Sequence, residues 1–460
     1  MKPIRLFATA LVLCAIITNP SLLAQSTAQY DSIAQMIASA ALQQNMSIAM
    51  LKELTDIGPR FSGSPEYDEA VVWGEKKMKE LGFDRVWTEP VMVPRWVRGG
   101  TEEAFAFPSI REEQIPLSIL ALGRSIGTPA GGITANVVEV TSFEQLRAMG
   151  DAARGKIVFF NRPMDRTRIN TFRAYGGAVN QRGSGAIEAA KAGGVFALVR
   201  SMSTSINDYP HTGGMRYQDS IPQVPTAAVS TADAEMLSDL LLKDPGLRVK
   251  VSLACTTLAD VQSANVMGEI RGTEFPDEVI VIGGHLDSWD VGQGAHDDGS
   301  GCVQSIEAIR LLKELGLKPK RTIRAVLFAN EENGLRGGRA YAEVKRGREK
   351  HIAAMESDEG GFAPRGFGIG DSAAYQKIKQ WEPYFSYINA DKIMEGGGGA
   401  DISPLGRQGV PIMGLVVETH RYFEYHHAHT DVFEAVNERE LALGAAAMAT
   451  LAYLIAQEGL

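Results

Sequence analysis

Five short stretches of this chain gather residues that hold metals or move protons. The first is Gly283-Gly284-His285-Leu286-Asp287-Ser288, directly after the apolar run Glu278 to Ile282. That run reads as a strand buried on both faces, and ligands of open α/β sheets collect at the carboxyl ends of strands. His285 and Asp287 are two apart, so both face one way on an extended chain. A metal-bound histidine needs an acceptor on its other ring nitrogen, and Asp287 stands where it supplies that environment, directly or through the site. The second stretch is Gly294-Ala295-His296-Asp297-Asp298-Gly299-Ser300-Gly301. Its glycines let the backbone close around an ion, and a carboxylate there can bridge two cations. An acidic helix N-terminus is the plainer reading, stronger for Asp298 than for Asp297.

The third stretch, Glu331-Glu332, ends the strand read over Thr322 to Ala329. Two glutamates at a buried strand end are costly unless something positive compensates them. One can ligate a metal while its neighbour holds a proton near water. Glu356-Ser357-Asp358-Glu359-Gly360-Gly361 is the fourth stretch. Tyr425-His426-His427-Ala428-His429-Thr430-Asp431 is the fifth, with three of the chain's eight histidines. Each piece alone has a structural reading as a satisfied histidine or a solvated acidic turn. Together they supply the mixed nitrogen and oxygen donors that zinc accepts. A carboxylate bridge suits metals about 3.5–4 Å apart, with one glutamate left over as a base.

The elements that must position these residues alternate from about 260 onward. Val303, Ile306, Ile309 and Leu312 carry helical spacing after the second stretch. Ile412 to Val417 is a further buried strand, and Asn437 with Glu440 forms a capping-box pattern for a last helix. Such alternation implies a mostly parallel, mixed sheet flanked by helices. Upstream, 28–56 reads as helical, Asp56 to Pro65 as turns, and Glu66 to Leu81 as a helix closed by Gly82. Residues 125–258 have their own rhythm. Ala135 to Val140, Lys156 to Phe160, Val195 to Val199 and a run ending near Val229 read as strands, with a short helix over Ala186 to Ala192. This is a compact α/β insert without an evident catalytic cluster.

The chain of 460 residues suits two domains. Its net charge is −9, or −11 once Lys2 and Arg5 leave with a leader. Neither value nor any basic stripe suits nucleic-acid binding. Lys2 and Arg5, the apolar run Leu6 to Ile17, and Ala24 before Gln25 read as a secretory signal over 1–24. That run is short for a bilayer, and no later stretch reads as membrane-spanning. The expected location is secreted, periplasmic or extracellular. Cys14 leaves with the leader; Cys255 and Cys302 remain. An oxidising compartment permits their disulfide, but two buried free thiols are the favoured reading.

Gly283 to Gly301, Glu331-Glu332, Asp358 and the histidine cluster together resemble the co-catalytic dizinc exopeptidases. That family holds the bacterial leucyl aminopeptidases and glutamate carboxypeptidase, and Gly284 to Ala295 most resembles its carboxypeptidase Q branch. The resemblance implies the zinc-exopeptidase fold, with 25–124 and 259–460 as the catalytic domain and 125–258 as a protease-associated insert. It implies two zinc ions per chain. One is held by His285 and Asp358 and the other by Glu332 and His427, with Asp297 bridging, Glu331 as general base and Asp287 orienting His285. His427 is preferred over His426 and His429 because the family's last ligand is followed four residues later by an acid, here Asp431. A cis peptide at Asp297-Asp298 and a substrate-side loop at Gly396 to Gly399 are also implied. The segments Gly58-Pro59-Arg60 and Gly63-Ser64-Pro65 fit the same family.

The function this implies is hydrolysis of terminal peptide bonds in dipeptides or short peptides by metal-activated water. Amino- and carboxypeptidase activity both stay open, as does a homodimer. The rival readings are a metal-free, receptor-like relative and a one-zinc acyl transferase of glutaminyl-cyclase type. The complete ligand set opposes the former, and the second zinc's ligands with the insert oppose the latter.

Overall fold

The computed structural model describes residues 20–109 and 113–460. The secretory signal read over 1–24 therefore lies outside the described residues up to residue 19.

Two eight-stranded sheets organise the described residues. At the centre of the first, Arg321–Phe328, Phe275–His285, Lys350–Glu356 and Ile412–Val417 run side by side and parallel. Val279 to Ile282 are wholly buried, as expected of a strand covered by helices on both faces. Antiparallel strands flank this centre, Thr256–Ile270 on one side and Pro364–Ile369 on the other. The result is a mixed α/β sheet with a parallel middle.

The helices Ser300–Glu314 and Glu438–Glu458 cover one face of this sheet and pack on each other. Asn437 caps the second through the backbone N–H groups of Arg439 and Glu440, which satisfies two otherwise orphaned donors. That helix is long and apolar enough to cross a membrane, but most of it is buried within the protein. Each fully buried leucine or isoleucine in these helices contributes about 1.5–3 kcal/mol. The early helical run is two helices, Pro20–Gln43 and Ser47–Asp56. Helix Pro65–Glu80 is capped by the Ser64 side chain, and Gly82 follows it at a φ of +70°.

The second sheet runs from Glu102 to Leu253 in the order Ile115–Leu117, Glu102–Phe107, Arg248–Leu253, Ile133–Val140, Ile157–Phe160, Phe196–Arg200, Thr226–Val229, Ile119–Ala121. Three of its strands precede residue 125, so this unit begins earlier than the change in sequence rhythm. Its stem is the long antiparallel pair Arg85–Val97 and Thr256–Ile270, with a register shift at Pro94, where an edge strand tolerates a missing N–H. The chain leaves the first sheet along one strand of this stem and returns along the other. Phe61, Trp96 and Trp289 pack at the junction, with ring centroids 6.0 Å and 5.0 Å from Phe61. Cys255 and Cys302 are both free and buried.

Candidate metal centre

Three parallel strands deliver their carboxyl ends to one edge of the first sheet. Phe275–His285 ends on His285, Arg321–Phe328 leads to Glu331 and Glu332, and Lys350–Glu356 leads to Asp358. Asp297 comes from the loop before helix Ser300–Glu314, and its peptide bond to Asp298 is cis. His427, at a φ of +62°, follows the short helix Tyr422–Tyr425.

Asp297 lies at the middle of the group. Its Oδ1 is 3.2 Å from His285 Nε2, and its Oδ2 is 3.2 Å from His427 Nε2. Asp358 Oδ1 is 3.3 Å from the same His285 nitrogen. Glu332 Oε2 is 3.1 Å from His427 Nε2. The donor atoms of His285, Asp297 and Asp358 lie within 4.8 Å of one another, and so do those of Asp297, His426 and His427. His426 stacks on His427 at 3.5 Å, but its Nε2 stands back at 3.9 Å from Asp297. His429 is exposed and joins neither cluster.

The surrounding groups hold these side chains. His285 Nδ1 lies 2.8 Å from the backbone carbonyl of Asp287, while the Asp287 carboxylate is 3.9 Å away. That carboxylate instead accepts from the N–H of Glu331 at 3.0 Å, the N–H of Glu332 at 3.3 Å and the Ser62 hydroxyl at 2.9 Å. Asp287 thus touches His285 through its main chain and fixes the two glutamates through its side chain. Asp431 accepts from the N–H groups of His296 at 2.7 Å and Asp297 at 3.1 Å. Asp298 accepts from the N–H groups of His285 at 3.1 Å and Gly301 at 2.9 Å. A Cβ at Gly284 would come within 2.2 Å of Asp298 Oδ2, so that junction requires glycine.

Arg60 is fully buried and donates to the carbonyls of Leu286, Gln293 and Gly294 at 3.0, 2.6 and 2.9 Å, clasping the loop that carries Asp297. The supporting roles of Arg60, Ser62 and Asp298 were not legible in spacing. The only sequence signals were the turn-rich segment holding the first two and the acidic pair holding the third.

Burial disfavours charge throughout the group, and close opposite charges decide the outcome. Burial works against protonated His285, but Asp358 and Asp297 raise its pKa well above the usual histidine range. His427 is likewise raised to about 9, because Glu332 and Asp297 outweigh its burial. Burial opposes ionised Asp297, yet His285 and His427 hold it well below the usual carboxylate range. Burial and the neighbouring Asp297 push Glu332 up to about 7. Burial, Asp358 and Glu332 push Glu331 well above its usual value.

Asp297 Oδ2 and Glu332 Oε1 are buried with no hydrogen-bond donor. Orphaned buried oxygens beside imidazole nitrogens are what a cation site leaves when hydrogen bonds alone are counted. The donor set of two histidines and three carboxylates fits zinc in type. The group opens on a cavity of about 700 Å³, well sized for a small ligand.

The model of peptidase family M28 matches residues 265–452. The chain is 37% identical to carboxypeptidase Q of Mus musculus over 438 residues, covering 94% of this chain and 91% of that protein. It is similar to the structure of a peptidase M28 precursor from Shewanella amazonensis SB2B. There the TM-score is 0.88 at 34% identity, over 94% of this chain and 98% of the other. A zinc aminopeptidase from Bacillus subtilis shares the fold with a TM-score of 0.65 at 17% identity, over 90% of this chain and 96% of the other.

Proposed function

We propose, from the premise that the chain belongs to peptidase family M28 and is a zinc-dependent exopeptidase, that it hydrolyses the terminal bond of dipeptides and short peptides at a pair of zinc ions outside the cytoplasm. The observation that carries the pair is Asp297, whose two carboxylate oxygens each stand 3.2 Å from a different histidine. On this reading His285 and Asp358 hold one ion, Glu332 and His427 hold the other, and Asp297 serves both. Glu332 is preferred to His426 because its Oε2 stands 3.1 Å from the His427 nitrogen, whereas His426 Nε2 stands back at 3.9 Å from Asp297.

Bound zinc supplies Lewis acidity, which polarises the scissile carbonyl and makes water a nucleophile near neutral pH. Glu331 lines the cavity beside the cage, and its raised pKa suits a group that takes a proton from water and returns it to the leaving amine. Asp287 keeps Glu331 on station through the N–H bond at 3.0 Å. A cavity of about 700 Å³ favours short peptides over folded proteins. The basic start and apolar run before Ala24 support export, and the α/β unit between Glu102 and Leu253 supports the protease-associated reading of the insert.

The test combines metal analysis with the Glu331→Gln variant on a dipeptide panel. Two zinc ions per chain are expected in both proteins, with turnover lowered roughly 10²–10⁴-fold in the variant. Wild-type turnover in Glu331→Gln, or one zinc per chain in the active enzyme, would refute the assignment.

A further inference from the structure

One side chain of the cage is held from outside the unit that carries it. His285, Asp297 and Glu332 are fixed from within the first sheet's own unit, through the Asp287 carbonyl, the Asp431 carboxylate and the Asp287 carboxylate. His427 differs. Its main-chain carbonyl accepts from the Thr212 N–H at 3.0 Å, and its Nδ1 lies 3.3 Å from the Thr212 carbonyl. The carbonyl of the preceding His426 lies 2.7 Å from His211 Nδ1. His211 and Thr212 belong to the second unit, in the segment between strands Phe196–Arg200 and Thr226–Val229.

The direction of each of these bonds follows from the groups involved. His427 Nε2 faces Asp297 and Glu332 at 3.2 and 3.1 Å. On the metal reading above it is the ligating nitrogen, so Nδ1 carries the ring proton. Arg182 Nη1 also stands 3.4 Å from that Nδ1, but a guanidinium only donates. The Thr212 carbonyl is therefore the acceptor that sets the tautomer and plane of the ring. His211 Nδ1 must donate, because the His426 carbonyl only accepts. Its Nε2 is buried with no partner among the described residues, and burial pushes the His211 pKa down to about 4, which keeps that nitrogen free of a proton.

The segment is anchored at its root. The His211 N–H donates to Ser201 Oγ at 2.8 Å, and that hydroxyl donates to the Val229 carbonyl at 2.7 Å. The Thr212 hydroxyl donates to the Ala121 carbonyl at 2.8 Å, and the Gly213 carbonyl accepts from the Gly123 N–H at 3.0 Å. His211 and Thr212 are both buried. On the far side of the contact, His427 holds a φ of +62°, which a residue with a Cβ keeps only where its surroundings impose it. A unit that supplies no ligand thus fixes the backbone and the ring of one.

We propose that His211 is a positioning residue for His427, so that the second unit sets the affinity of the zinc ion assigned to Glu332 and His427, and that this ion in turn holds the His211-Thr212 segment in place. The inference rests on the metal reading above and deepens it. Hydrogen-bond partners behind a metal-bound histidine fix its orientation and are worth roughly 10–100-fold in metal affinity. Linkage makes the effect reciprocal: a contact that tightens the ion is itself tightened by the ion.

Stepwise zinc competition, with the steps assigned by His285→Ala and His427→Ala, reads the two ions separately. His211→Leu keeps bulk and removes the donor. It should weaken the His427 step ~10–100-fold and leave the His285 step within about threefold. His211→Asn, whose amide nitrogen takes the place of Nδ1, should recover most of that loss. A histidine with a merely structural role would move both steps alike. Hydrogen exchange in the wild type reads the reciprocal effect without turnover or substitution. Filling the His427 step should slow exchange of the Thr212 amide ~10–100-fold, and His427→Ala should abolish that slowing.

If His427→Ala left both zinc steps in place, the metal reading would fail. If His427→Ala removed one step while His211→Leu kept that step at wild-type affinity, the positioning role would be overturned with the metal site intact. Equal weakening of both steps in His211→Leu, or an unchanged Thr212 amide on zinc binding, would overturn it as well.

Discussion

Replacing Asp287 by asparagine separates two accounts of how the site is held. The Asp287 side chain is fully buried and accepts three donors: the Glu331 N–H at 3.0 Å, the Glu332 N–H at 3.3 Å and the Ser62 hydroxyl at 2.9 Å. An asparagine keeps the shape but has one acceptor oxygen. Whichever way the amide turns, its NH₂ faces a donor, and one glutamate N–H is left buried without an acceptor. The loss is one hydrogen bond to a charged group plus one unsatisfied donor, about 3 kcal/mol. Asp287 is itself destabilised as an anion, its pKa being raised by burial, so relief of that strain leaves a net cost of about 2 kcal/mol.

The chemical consequence falls on the glutamates. A shift of Glu331 by a fraction of an ångström should lower kcat roughly 10–100-fold, with KM changed little. The zinc ion assigned to Glu332 and His427 should bind roughly 10–100-fold more weakly. The ion assigned to His285 should keep its affinity, because His285 Nδ1 is held by the Asp287 carbonyl at 2.8 Å, which asparagine retains. Stepwise zinc competition with a chromophoric chelator, calibrated against His285→Ala and His427→Ala, reads each ion separately. If Asp287→Asn weakened only the step lost in His285→Ala, the carboxylate would act on that histidine and the reasoning would fail.

Asp431→Asn should weaken both zinc steps together, since Asp431 holds the backbone of Asp297, which faces both histidines; the same competition assay checks it, and loss of a single step would contradict it. Among the clustered histidines, His427→Ala should abolish tight binding of one ion, whereas His429→Ala, at an exposed position, should leave zinc content and kcat within about twofold of wild type; metal analysis decides between them. The metal-free protein should lose thermal stability as pH rises from 6.5 to 9. His427 is raised to about 9, so its contribution is complete below 6.5 and vanishes through 9; buried Glu332 and Asp431, raised to about 7, lose theirs in the same direction. Scanning calorimetry with and without zinc should show this slope only in the metal-free protein, and a melting temperature that rises with pH would contradict the shifts.

Much of this protein could be read from local pattern. The strand before His285, the helix after Gly301, the strand Ile412–Val417 and the Asn437 cap all rest on periodicity and end chemistry, which act over a few residues. The five stretches rich in histidine and acid were equally visible, because buried strand ends seldom carry such residues without a use. Other features needed the folded chain. The break after Gln43 and the stem of Arg85–Val97 with Thr256–Ile270 depend on partners that no local window contains. Spacing could not say whether Asp287 holds His285 by its side chain or its carbonyl, since that depends on where Glu331 and Ser62 arrive from elsewhere in the sequence.

Sequence by itself determined which residue types were available for metal chemistry and on which strand ends they sit, because side-chain chemistry and strand periodicity are local properties. Tertiary structure alone decided that Asp297 stands between two histidines, that His429 faces solvent, and that Arg182 from a separate sheet unit reaches within 3.4 Å of His427. Those outcomes follow from long-range packing, in which a one-residue change of register or a different sheet order would bring other side chains together.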